Sequence, residues 1–72
     1  MNAPIELLDV VALIQDISSQ HLVRGQVGTV VEILAPGIYE VEFSDDQGKS
    51  YAMLPLQADQ LIVLHTAPVQ VG

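Results

Sequence analysis

The sequence predicts an all-β fold, a small five-stranded barrel with one short 3-10 turn before the last strand. Three observations predict it. Two β-rich runs, residues 24–34 and 38–43, flank Ala35-Pro36-Gly37, the chemistry of a tight hairpin turn. In the second run Tyr39, Val41 and Phe43 alternate with Glu40 and Glu42. That period of two puts the aromatic side of a strand against a core and the glutamates in water. Turn residues then recur at short intervals along the whole chain, the pattern of small β-barrels, which remove the exposed strand edges that invite aggregation.

Taken in order, residues 1–6 read as a loose lead-in, because Pro4 cannot donate to a ladder. The barrel itself is expected over residues 5–65, between flexible termini at 1–4 and 66–72. Val10-Val11-Ala12-Leu13-Ile14 reads as the first strand, with a helix over 5–14 as its competitor. Residues 15–23 form the longest loop, polar at Gln15, Asp16, Ser18, Ser19, Gln20 and His21 and pinned to the barrel by Ile17 and Leu22. Long ordered loops on small scaffolds often carry binding. Gly25 and Gly28 bracket the approach to the second strand, where glycine supplies either a positive φ or room for close backbone approach. A phosphate cradle is disfavoured there, since no helix follows and no lysine follows the second glycine.

The second strand is expected at residues 29–34, with Glu32 its one charge, and the third at 38–43. Residues 44–49, Ser-Asp-Asp-Gln-Gly-Lys, read as a turn. A calcium loop would need the EF-hand spacing and a closing glutamate, and both are missing. The fourth strand is expected at residues 50–54, with Tyr51 and Met53 on one side, Ala52 and Leu54 on the other, and Pro55 ending it. Residues 56–60 suit a single 3-10 turn. Residues 61–65 give the last strand.

Composition bounds the rest. A chain of 72 residues is one domain at most. A domain of this size buries roughly 60% of its unfolded surface, and its net stability is on the order of 4–10 kcal/mol. There is no cysteine, so the core alone holds the fold, and a homo-oligomer is left open as a second support. The N-terminus lacks the pattern of a signal peptide, and no apolar run approaches the roughly 20 residues of a membrane helix, so a cytoplasmic protein is the default. Nine acids face two bases, Arg24 and Lys49, for a net charge of −7. Nucleic acids are bound chiefly through Lys and Arg, and a net negative chain repels them. Anionic membranes are disfavoured on the same ground. The acids either keep a small apolar domain soluble or match a basic protein partner.

The order of parts resembles an SH3-like barrel: a strand, a long first loop, Gly25-Gln26-Val27-Gly28-Thr29-Val30-Val31-Glu32, Tyr39-Glu40-Val41-Glu42-Phe43, an Asp-x-x-Gly turn, and a short turn before the last strand. More narrowly, it resembles a bacterial family of short stand-alone proteins labelled as a domain of unknown function. Leu8-Asp9-Val10-Val11, residues 24–32, residues 39–43 and Ala58-Asp59-Gln60-Leu61 carry that resemblance, which spans residues 5 to 64. It implies a fold and no activity. The glycine-led strand is also similar to the KOW element of ribosomal and transcription proteins. That similarity supplies the alternative function, a nucleic-acid or ribosome-associated module, but the basic loops such modules use are missing here.

No constellation for catalysis emerges. A hydrolase needs a nucleophile, a base within reach and an orienting group, whereas His21 lies in the long loop, His65 at the end of the last strand, and Ser18, Ser19, Ser44 and Ser50 in turns or loops with no nucleophile-elbow sequence around them. No short ligand spacing suggests a metal, and no cofactor is expected. Neither carboxylate pair, Glu40/Glu42 or Asp45/Asp46, lies in an evident pocket. The expected function is therefore that of a non-catalytic interaction module, a small acidic partner or neutralising protein for a basic protein encoded nearby. Its candidate partner-binding residues are Asp16, Ser19 and His21 in the long loop and Glu40 and Glu42 on the acidic strand.

Overall fold

The structure, a computed structural model, describes residues 4–65. The flexible termini are expected at 1–4 and 66–72; all of these residues but Pro4 lie outside the described residues. Five strands follow one another as β1 (Val10–Leu13), β2 (Val27–Ala35), β3 (Ile38–Ser44), β4 (Ser50–Gln57) and β5 (Leu61–Val63), with 3-10 turns at Ser18–Gln20 and Ala58–Gln60. The first segment is a strand and not the competing helix; its Val-Val opening is β-branched and stiff at χ1. All pairings are antiparallel, in the order β4-β3-β2-β1-β5.

The sheet wraps without closing. β4 and β5 are its two edges, yet Leu56 of β4 and Leu61 of β5 join one buried cluster with Val11, Leu13, Val30, Val41 and Phe43. "Barrel" thus describes the wrap around the core and not a continuous hydrogen-bonded circuit. The open edges carry natural protection. β5 is three residues long, and β4 contains Pro55, which has no N–H to offer a stray strand. This also explains why Pro55 does not end β4 as expected. An edge strand can carry proline where the missing donor would face away from its neighbour, so pairing continues through Glu40–Pro55 and Tyr39–Leu56 to Ile38–Gln57.

The turns follow from their residues. Gly37 takes φ +79 behind Pro36 in the β2–β3 turn, as the second central position of a Pro-Gly turn requires. In the β3–β4 turn the Asp45 Oδ1 accepts the backbone N–H groups of Gln47 and Lys49, each at 2.9 Å. That aspartate is occupied in holding a turn. The second 3-10 turn carries a reciprocal cap between Gln57 and Gln60, and the Gln57 N–H donates to the Gln60 Oε1 at 2.8 Å. The two early glycines divide the labour that glycine permits. Gly25 takes φ +95 in the turn before β2. Gly28 lies inside β2, opposite Phe43 and Val11, where a Cβ would sit 2.8 Å from the Glu42 carbonyl oxygen.

The remaining differences are of extent. β2 begins at Val27 and ends at Ala35, longer than expected because Gly28 serves the ladder. β5 ends at Val63, although the Leu64 N–H still donates to the Val10 carbonyl at 2.8 Å. The long loop contains an unexpected 3-10 turn at Ser18–Gln20, closed below by mutual backbone bonds between Ile17 and Leu22. Leu22 is buried and Ile17 packs on the core, so these two residues anchor the loop as expected. Among the described residues no helix is long and apolar enough to cross a membrane.

Candidate functional site

The outward face of the sheet is set by strand parity. Val41 and Phe43 point into the core with Leu54 and Ala52 opposite them, so Glu40 and Glu42 lie on the other face. There Glu42 stands between Thr29 of β2 and Met53 of β4, and Glu40 between Glu32 and Pro55. The two glutamates were expected to stand in water. They are instead half-buried, because β3 is an inner strand with neighbours on both sides. Tyr39, expected in the core, is half-buried at its margin.

Glu32 reaches this face through a break in the ladder. The register shifts between Val30 and Glu32, so Val31 is an extra residue and the alternation of β2 changes sign after it. The result is a pair of like charges, Glu32 and Glu40, directly opposite one another, an arrangement that costs stability. The Glu40 Oε1 is buried and has no hydrogen-bond partner. A buried polar atom left unsatisfied calls for an explanation. The chain's two bases do not supply one from within the face: Arg24 and Lys49 lie in the segments before β2 and β4.

The loop candidates lie elsewhere. Asp16, Ser19 and His21 are exposed, beyond Leu13 at the end of the sheet where Gln26 leads into β2. Asp16 is partly occupied, since its Oδ1 accepts the Arg24 backbone N–H at 2.8 Å. His21 closes the 3-10 turn in the left-handed conformation, φ 58, with its N–H donating to the Ser18 carbonyl at 3.1 Å. Ser19 sits at the tip. The Glu32–Glu40 pair lies further along β2, toward the Pro36-Gly37 turn, so the structure separates the two groups of candidates.

The same outward face carries apolar side chains that the sequence reading left without a role. Ile62, Ala12 and Val27 form a continuous row across β5, β1 and β2. Ile62 is 42% exposed and Val27 45%, with Met53 of β4 at 52%. Ile62 and Ala12 lie in unbroken apolar runs, so which of their neighbours face outward depends on strand pairing and order. Tyr51, beside them on β4, has its hydroxyl held by the Gln26 Nε2 at 3.1 Å. Among the described residues no group of three or more His, Cys, Asp or Glu is arranged to hold a metal ion.

Compared with protein families, residues 7–63 match the one described as "Domain of unknown function (DUF4926)". No curated protein and no solved structure matches the chain.

Proposed function

The chain belongs to the DUF4926 family, whose description names no activity, and we propose from its own surface that it is a non-catalytic, cytoplasmic protein-interaction module. Its acidic outer face, built on Glu32, Glu40 and Glu42, meets a basic protein partner. The observation that supports this most is the Glu40 carboxylate, held opposite Glu32 with one oxygen buried and unpartnered. A carboxylate in that position costs stability, and a lysine or arginine brought by a partner would offset the like charges of the exposed Glu32 and the half-buried Glu40 from the solvent side. Complementary charge of this kind governs association rate and partner choice. With nine acids against two bases, the chain suits a basic protein far better than a nucleic acid.

The test is charge reversal. The doubly substituted Glu40→Lys, Glu42→Lys chain keeps its circular dichroism spectrum and loses a partner that the native chain captures. Identical capture by both chains rejects the acidic face as the binding surface. Steeply salt-dependent binding of labelled RNA by the native chain would favour the KOW-like alternative instead.

A further inference from the structure

We infer that the outer face takes a basic amphipathic helix, seated with its apolar side on the Ile62–Ala12–Val27 row and its lysines or arginines over the glutamates. The inference rests on the acidic-face reading and adds the shape and chemistry of the partner.

The row comes first. Ala12 is 7% exposed because it lies between Ile62 and Val27, which stand at 42% and 45%. A small residue between two larger ones makes a shallow trough that runs along β1, walled by Ile62 of β5 and Val27 of β2. Adjacent strands lie about 4.8 Å apart, so the trough spans roughly 10 Å, close to the diameter of one helix. Exposed apolar side chains scattered singly need no explanation, whereas contiguous ones mark interaction sites.

The acids lie beside the trough. Glu42 pairs with Thr29, which is two residues along β2 from Val27. One strand across and two residues along place Glu42 roughly 8 Å from Val27. A helix seated in the trough carries its flanking side chains about 5 Å from its own axis. A lysine or arginine on that flank therefore reaches Glu42, and one a turn further reaches the Glu32–Glu40 pair. An acidic or neutral helix would leave the like charges of Glu32 and Glu40 unopposed.

The sheet edges direct the partner to the face. Strand addition needs an edge with a row of free donors and acceptors. Pro55 interrupts that row on β4, and β5 offers only three residues. A second copy of the chain would bring its own net charge of −7 against the same acids.

The experiment uses the full chain, isotope-labelled, titrated with three synthetic helical peptides followed by backbone amide shifts. One alternates leucine and lysine in an amphipathic pattern, one replaces the lysines with glutamate, and one carries the lysines without the leucines. The expected result is tightest binding of the leucine–lysine peptide, with shifts centred on Ala12, Val27, Glu42 and Ile62. It should bind at least about tenfold more tightly than the lysine-only peptide, and the exposed-site change Ile62→Thr should remove most of that advantage. Equal binding of the two basic peptides would overturn the helix-in-trough inference and leave the acidic-face reading standing. Equal binding of the leucine–glutamate peptide would overturn both. Shifts confined to residues 15–23, or no binding by any peptide, would overturn the inference while the charge-reversal capture still decides the acidic-face reading.

Discussion

Replacing Gly28 with alanine tests the packing of the fold at its tightest point. A Cβ added there meets the Val41 Cγ1 at 2.7 Å, the Glu42 carbonyl oxygen at 2.8 Å and the Phe43 Cδ1 at 3.0 Å. Val41 and Phe43 are fully buried and have little room to turn away. The carbonyl belongs to the β2–β3 ladder and moves only with the backbone. Overpacking of this kind costs about 1–3 kcal/mol, and the backbone contact puts Gly28→Ala near the upper end. The lower chain entropy of alanine in the unfolded state returns about 0.4–1 kcal/mol. A net loss of about 2 kcal/mol corresponds to a fall in Tm of roughly 8–16 °C for a domain of this size. Thermal and urea unfolding followed by circular dichroism measure it. Gly37→Asn is the control. Gly37 has φ +79 and open space around it, and asparagine tolerates that conformation, so its midpoint should move by no more than a few degrees. An unchanged midpoint for Gly28→Ala, or an equal fall for Gly37→Asn, would refute the close approach of β2 to β3.

Three further outcomes follow from the same contacts. Phe43→Ala empties the largest fully buried side chain and should cost about 3–5 kcal/mol, leaving urea unfolding with little or no native baseline. Glu32→Gln removes one member of the like-charged pair and should raise stability by about 0.2–1 kcal/mol, with the gain shrinking as salt is added. Asp16→Ala removes the acceptor of the Arg24 N–H and should cost about 1 kcal/mol, while hydrogen exchange at the Arg24 amide speeds up and that of the β3 amides keeps its order.

Much of the fold could be read from side-chain chemistry. The alternation of Tyr39, Val41 and Phe43 set the inward face of β3, and Pro36-Gly37 and Asp45 with Gly48 marked the turns that form there. Ile17 and Leu22 stood out in a polar loop as the residues that anchor it. What could not be read depends on neighbours. Pro55 looked like a strand end because the sequence does not reveal that β4 is an edge. The bulge at Val31 has no composition signal, yet it alone brings Glu32 opposite Glu40. The half-burial of Glu40 and Glu42 likewise comes from β2 and β4 on either side. The row from Ile62 to Val27 joins residues far apart in the chain, so it appears only once β5, β1 and β2 are placed side by side.

The most direct test of the account is the association of the native and the Glu40→Lys, Glu42→Lys chains with one captured basic partner, measured against salt. The account predicts that the native chain associates quickly at low salt, slows as salt is added, and loses that rate advantage on charge reversal while its unfolding midpoint stays near native. Equal association rates for the two folded chains, with the same salt dependence, would contradict it.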